Sequence, residues 1–393
     1  MPVVDYTKSR PALRARKAAR YVRLYGPATT LSKIEGQYHM RGRVSPRRRS
    51  RDERAHVGII GCGNFAYTTI AYHLERHAGG VIRGAMDIVE RRAESLASRY
   101  GGHYATTDAA RVLSDPAIDL IYVASNHASH ADYAVRALDA GKSVHIEKPH
   151  VIDHHQLSRL CDAMARSSGR VRLGFNRPVS PFGRELEALV SRQAGPSSSS
   201  WFVVGYRLPP EHWYNDPGEG GRVLGNLCHW TDFVYRLVPA EQRHPIEIRP
   251  IRHDADAIAV AFGFGDGSSA TITFATSGEA FEGVREHLSM QRGEVSVELR
   301  DFQELRTHVG AARSRHVARW RQHGHEVAVI ASYRMSARGG GAPLGETARY
   351  VWETGDLFLK TKDAVESDRR LVVEPAPRSV TGVSASLRSA GGR

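Results

Sequence analysis

The segment Gly61-Cys62-Gly63-Asn64-Phe65-Ala66 constrains this chain more than any other stretch. It follows a short apolar run, Val57–Ile60, that reads as a buried strand, and it opens a stretch with helix-forming composition, residues 65–77. Each position answers a separate physical demand. Gly61 permits a tight turn, Gly63 lets the backbone approach a bulky ligand, and the small Ala66 lets the helix pack close to the strand. The first N–H groups of the helix then face the turn, and the helix dipole favours an anion there. Asp87 ends the next apolar run, residues 81–86.

Strand, glycine turn, helix and a following acidic residue together form the context of a dinucleotide site. Residues 61–66 would carry the pyrophosphate, with Gly61, Gly63, Asn64, Phe65 and Ala66 in contact. Asp87 would accept hydrogen bonds from the adenosine ribose. A carboxylate there repels a 2′-phosphate, so NAD is expected ahead of NADP, for which Arg91 and Arg92 are the available partners.

Apolar runs and helical stretches go on alternating to residue 175. Strands are expected at 81–86, 103–105, 120–124, 143–146 and 171–175, with helices at 89–100, 129–140 and 153–167. Such alternation implies right-handed crossovers and a parallel sheet covered on both faces. From residue 176 the texture changes. A helix is expected at 181–190, a polar loop at 195–200, and strands at 201–206, 258–264, 269–274 and 295–299. Gly265-Asp266-Gly267 reads as a hairpin turn. A helical insertion, 221–237, and a late helix, 346–365, complete the reading. The fold class is therefore α/β, a Rossmann domain followed by an α/β domain with an open, mostly antiparallel sheet. Four segments are expected: a basic extension at 1–55, the dinucleotide domain at 56–175, a substrate and oligomerisation domain at 176–374, and a disordered tail at 375–393.

The formal charge of +13 is concentrated in the extension. Residues 1–55 hold fifteen lysines and arginines against four acidic residues, a net +11, and leave the body near neutral. The extension therefore reads as a solvated, partly helical arm anchored by Tyr21, Val22 and Leu24. The competing reading is a nucleic-acid surface around Arg47-Arg48-Arg49, but stacking aromatics are few there. No apolar run approaches the roughly 18–20 residues of a membrane span. Three widely spaced cysteines, Cys62, Cys161 and Cys228, give no disulfide framework, which fits a reducing cytoplasm. No metal site is read from the sequence; His150, His154 and His155 read as solvated helix residues.

Glu147-Lys148-Pro149 follows the expected strand at 143–146, a charged pair at the carboxyl end of a sheet strand, where open α/β sheets bind ligands. Together with the turn at 61–66, Asp87, and Asn126-His127-Ala128-Ser129-His130, it resembles the Gfo/Idh/MocA oxidoreductases over residues 56–362. The resemblance implies hydride transfer between a nicotinamide and a secondary alcohol or ketone, commonly on a sugar, inositol or nucleotide sugar. It implies that Lys148 lies between nicotinamide and substrate and that Glu147 orients cofactor or lysine. Ser125, Asn126, His127, His130 and Asn176 would line the cofactor, and the second domain's sheet would join copies into a homo-oligomer. The family's second motif is an Asp followed four residues later by a His on a helix. Here His229 is present, Gly225 stands at the Asp position, Asn226 is the nearest polar neighbour, and Asp232 lies one turn beyond. The stretch Gly174-Phe175-Asn176-Arg177 resembles the oxidoreductase half of two-part dehydrogenases of surface-polysaccharide and glycoside pathways.

On that resemblance His229 takes the substrate's hydroxyl proton and Lys148 stabilises the charge developing on oxygen, with Asn226 beside them. Imidazole suits proton transfer because it titrates near working pH. Arg177, Tyr206, His212, Trp213, Tyr214 and Arg222 are the expected substrate contacts, an aromatic and basic mixture suited to a sugar, a base or a phosphate. Competing readings are an NADP-dependent reductase of an imine or small keto compound, and an NAD-binding regulator without catalysis.

Overall fold

The computed structural model describes residues 10–42, 52–209, 211–254, 256–278, 281, 283–341 and 344–381. Arg47-Arg48-Arg49 and residues 382–393 lie outside them. Two helices, α1 (Pro11–Tyr25) and α2 (Pro27–His39), precede the first strand. Proline pre-sets the first turn of α1, and Gly26, with φ +83°, closes it. Of the three expected anchors on α1, Leu24 is buried, Tyr21 is half-buried and Val22 is exposed.

The alternating region folds as β1 (Val57–Ile60), α3 (Tyr72–His77), β2 (Ile82–Met86), α4 (Glu90–Tyr100), β3 (Tyr104–Thr106), α5 (Ala109–Ser114) and β4 (Leu120–Val123). It continues through α6 (His130–Asp139), β5 (Ser143–Ile146), α7 (His154–Arg166) and β6 (Val171–Leu173). All six strands are parallel, in the order β3-β2-β1-β4-β5-β6. The order reverses between β1 and β4, and in such sheets ligands bind beyond the carboxyl ends of the strands at that reversal. β1 and β4 are apolar throughout and buried at every position, as a parallel sheet covered on both faces requires. Asp108 and Asp153 cap α5 and α7 through backbone N–H groups of the first turn.

The second region comprises α8 (Pro181–Val190), β7 (Ser197–Tyr206), α9 (Cys228–Leu237), β8 (Ile246–His253), β9 (Ala257–Gly263), β10 (Ser269–Gly278) and β11 (Arg285–Arg292). β12 (Val295–Arg300), β13 (Glu304–Val309) and β14 (Ala312–Val317) follow, then α10 (His325–Met335), α11 (Ala348–Ser367), β15 (Leu371–Val373) and α12 (Arg378–Thr381). Its nine strands run β14-β13-β12-β11-β7-β10-β9-β8-β15. Every neighbouring pair is antiparallel except β10 and β7. Burial alternates along β11 and β12, so one face of the sheet is covered.

Three expectations are corrected here. The polar loop at 195–200 is in part the start of β7, because Ser197 pairs with β11 and residues 198–200 pair with both β10 and β11. β8, β11, β13, β14 and β15 went unread; β11, β13 and β14 are polar, and β14, Ala-Arg-Ser-Arg-His-Val, is exposed along its whole length. Within the tail expected to be disordered, residues 378–381 form α12.

The described residues divide into two units. One contains Leu31–Gly174, Glu326–Gly355 and α12; the other contains α1, Phe175–His325 and Asp356–Pro375. The chain thus returns to the Rossmann unit after leaving it, unlike the contiguous domains expected. The reason is burial: Val329, Ile330 and Met335 of α10 join the same core as Val57, Ile59, Leu120 and Tyr122. Tyr122 also donates to the carbonyl of Val329. Among the described residues no helix is long and apolar enough to cross a membrane. Cys62, Cys161 and Cys228 are buried, and none of them is in a disulfide.

Candidate active site

The glycine turn is built from both sides. Gly61 has φ +87°, and a Cβ there would lie 2.4 Å from the amide nitrogen of Ser125, so the end of β4 excludes any side chain. Gly63 differs: a Cβ there would meet nothing within 4 Å. Protein packing does not demand a glycine at Gly63, whereas a ligand lying on the turn would. Ala66 is fully buried at the start of a π-helical turn, Ala66–Ala71, that joins the glycine turn to α3. Phe65 is half-buried just before it. The side-chain oxygen Oδ1 of Asn64 is buried with no hydrogen-bond partner.

Asp87 is buried and fixed by two backbone donors. Its Oδ2 accepts from Cys62 N–H at 2.8 Å and its Oδ1 from Val89 N–H at 2.8 Å, and Arg92 approaches Oδ1 to 3.9 Å. The carboxylate is therefore held against the turn, where a ribose would lie on the sequence reading. Arg91 stands apart from it, its aliphatic arm beside Gly42.

Sequence reasoning missed the support under this turn. His39, on α2, is buried, and its Nε2 lies 2.7 Å from the carbonyl oxygen of Cys62. Its Nδ1 lies 2.9 Å from Ser95 Oγ on α4, and its ring stacks on Tyr67 at 4.1 Å. Burial lowers its pKa, and because the Cys62 carbonyl can only accept, Nε2 carries a proton and donates to it. Gly36 makes the approach possible: a Cβ there would come within 2.5 Å of Asn64 Oδ1 and 2.2 Å of Thr68 Cγ2. Ser32 donates to the carbonyl of Thr68, and Glu35 pairs with Arg99 at 3.0 Å. A polar helix thirty residues upstream carries no sequence signal for such a contact.

The loops after β4 and β5 are tied together. His130 is buried, with Nδ1 2.8 Å from the carbonyl of Pro149 and Nε2 3.1 Å from that of Ser125. Ser129 Oγ bonds Ser125 Oγ and Asn126 Oδ1, each at 2.7 Å, and His127 is buried behind them. Glu147 is buried and meets His145 Nε2 at 3.1 Å, while His145 Nδ1 reaches Ser332 Oγ at 2.7 Å. Lys148 is half-buried between these anchors. His150 is not a solvated helix residue: it is fully buried, precedes α7, and contacts the carbonyl of Val351 at 3.0 Å. His154 and His155 are exposed.

In the second unit a π-helical turn, Val223–Leu227, leads directly into α9 and His229. π-turns interrupt helices most often at functional positions. Because the turn spans five residues, the four-residue spacing to Gly225 no longer marks the same helical face. His229 is buried, edge-on to Phe175 at 6.3 Å. The Oδ1 of Asn226 is buried and without a hydrogen-bond partner. Asp232 is fully buried against Arg236 at 3.1 Å, so it does not stand in for the family Asp.

Arg177 and Asn176 fall in a different place from that expected. Arg177 is buried and gives Nε and Nη2 to Glu286 at 2.6 and 2.9 Å, with its guanidinium 4.7 Å from the Trp230 ring. Trp230 Nε1 and His323 also reach Glu286, at 2.9 and 3.3 Å. Burial would raise the Glu286 pKa, but the Arg177 charge and the His323 hydrogen bond overcome it and hold the carboxyl well below its usual range. Asn176 is buried and donates to the carbonyl of His323 at 2.6 Å. Both residues thus brace the strand and loop behind His229, and this position removes Arg177 from the substrate contacts.

The aromatic cluster does assemble. His212, Trp213 and Tyr214 form a short turn in which Trp213 and Tyr214 meet edge-on at 4.4 Å, and Trp213 remains 43% exposed. Tyr206 is exposed, and its carbonyl accepts from Arg222, whose guanidinium lies 5.0 Å from the Phe274 ring. Burial, then the Arg222 charge, lowers the His212 pKa, which sets these two side chains in one field.

Residues 55–175 match the Gfo/Idh/MocA oxidoreductase family, described as having an NAD-binding Rossmann fold. Over those residues, which make up its Rossmann domain, the chain is similar to that family. Oxidoreductase P35 of Formosa agariphila is 30% identical over 139 residues, 35% of this chain and 43% of that protein. Inositol 2-dehydrogenase 3 of Saccharopolyspora erythraea is 31% identical over 135 residues, 34% of this chain and 40% of that one. The chain thus spans less than half the length of these curated relatives. Levoglucosan dehydrogenase, solved in complex with NADH and levoglucosan, shares the fold with a TM-score of 0.70 at 14% identity, over 81% of this chain and 99% of that one.

Proposed function

We propose that this protein is an NAD-dependent dehydrogenase acting on a secondary alcohol of a sugar-like substrate, one that is nucleotide-activated and used in sugar or glycoside biosynthesis. Gly63 carries the proposal furthest, because it leaves open space on the turn where the dinucleotide would lie. The family match over residues 55–175 supports the cofactor, and the names of relatives acting on inositol and levoglucosan support a polyol-like substrate.

Bound NAD would supply a hydride acceptor at its nicotinamide ring. The residues divide the remaining work. The N–H groups at Asn64 and Phe65 would hold the phosphate oxygens, and Asp87 would accept from the ribose hydroxyls. Ser125, Asn126, His127 and His130 shape the wall beside the cofactor. Glu147, anchored by His145, fixes the backbone that carries Lys148. Lys148 Nζ donates to the substrate oxygen and stabilises the negative charge that develops there. His229 accepts the hydroxyl proton on a ring nitrogen and returns it in the reverse direction. Asn226 Oδ1 accepts from a neighbouring substrate hydroxyl. Tyr206, Trp213 and Tyr214 offer ring faces to a sugar or base, and Arg222 offers charge to a phosphate. The nine-stranded sheet, with Phe202 52% exposed on it, offers the surface for a homo-oligomer.

NADH formation across a panel of free sugars, inositols and nucleotide sugars tests the reading. Turnover should appear on at least one class and fall roughly 10²–10⁴-fold in Lys148→Ala and in His229→Ala, with NAD affinity retained. Near-normal rates in either variant would remove that residue's role. Bound NAD with no turnover on any member would favour the regulator.

A further inference from the structure

We propose that His73, His77 and Glu326 form a binding site for a borderline divalent cation such as Zn²⁺, which ties α10 to α3 within the Rossmann unit. His73 and His77 stand four residues apart on α3 and share one face. Glu326, in the first turn of α10, meets them from across the unit. Glu326 Oε2 lies 3.8 Å from His73 Nδ1, and Oε1 lies 3.0 Å from His77 Nε2. The three ligand atoms all fall within 4.8 Å of one another.

The spacing fits a metal. Zinc bonds of about 2.0–2.1 Å to imidazole and carboxylate place neighbouring tetrahedral ligands roughly 3.3–3.4 Å apart, and side-chain rotation can bring three ligand atoms already within 4.8 Å of one another to that spacing. Two imidazoles and one carboxylate leave a fourth position for water, and Glu326 is half-exposed, so water has access.

His73 is the observation that an ordinary ion pair leaves unexplained. His77 and Glu326 satisfy each other, but His73 Nδ1 is buried without a hydrogen-bond partner. Such an atom is destabilising unless something binds it. Lys33, the nearby cation, is engaged elsewhere, with its Nζ 3.1 Å from Thr68 Oγ1.

This site is independent of the proposed reaction, and its test does not use turnover. The untagged full chain, stripped with chelator, is titrated with Zn²⁺ and separately with Co²⁺. One Zn²⁺ per chain, a melting temperature raised by roughly 2–4 °C and a tetrahedral Co²⁺ absorption band are expected. All three should be lost in His77→Gln and in Glu326→Gln, whose exposed side chains leave the metal-free melting temperature close to that of the parent. Zinc uptake that persists in both variants would place the ion elsewhere among the chain's twenty histidines and overturn the proposal. Unchanged melting on zinc addition would also overturn it and reduce the group to the His77–Glu326 ion pair.

Discussion

The Rossmann unit and the second unit hold their candidate site residues by different means. In the Rossmann unit the functional groups sit at the carboxyl ends of strands, and backbone groups at neighbouring strand ends help to orient them. Asp87, for example, is fixed by the amides of Cys62 and Val89. In the second unit, His229 sits on a helix whose neighbour Trp230 hangs from a buried carboxylate, Glu286, fifty-six residues away. Glu286 in turn binds Arg177 across 109 residues of chain. Short motifs therefore describe the first half of the machinery and fail for the second.

Removing the buried carboxylate should separate the two units most sharply. Glu286→Gln leaves the Arg177 charge buried and unpaired, so a loss of about 3–5 kcal/mol in unfolding free energy is expected. Denaturant unfolding, followed by Trp fluorescence in the second unit, measures it. A loss below about 1 kcal/mol would mean that solvent reaches Arg177.

The same group predicts a pH dependence. Its folded pKa is depressed, so its contribution is fully present above the unfolded value near 4.3 and is lost as pH falls below that value toward the folded one. The acid limb of stability against pH should be steeper in the parent than in Glu286→Gln. Identical limbs would show that other carboxylates govern acid unfolding.

Within the Rossmann unit, Asp87→Ala should weaken NAD by roughly 10-fold and NADP by less, since the variant loses two ribose hydrogen bonds in one case and a repulsion in the other. Equal losses would break the ribose assignment. The smallest effect concerns α2. His39→Ala should raise the KM for NAD several-fold with kcat little changed, and His39→Gln, whose amide can still donate to the Cys62 carbonyl, should recover most of it. A kcat loss without a KM change would show that α2 supports folding rather than the turn.

The elements most legible in the sequence were those set by local physics. β5 and α8 were bounded correctly, at Ser143–Ile146 and Pro181–Val190. The Gly61 turn was legible because a left-handed φ and a backbone crossing leave only one residue type. β11 and β14 were illegible because polar strands pair through backbone groups that any side chain possesses. His39 and Glu286 were illegible because each acts on a partner distant in sequence, and nothing in its own neighbourhood marks it.

The sequence by itself determined the parallel Rossmann sheet, the glycine turn with Asp87, and Lys148 at a strand end, because backbone conformation and strand periodicity act over a few residues. Only the tertiary structure decided that α2 supports the turn, that α10 returns to the Rossmann core, and that Arg177 braces the region behind His229 instead of facing substrate. Those outcomes depend on which buried groups find partners, and a buried charge or imidazole is satisfied by whatever the completed fold brings within hydrogen-bond reach.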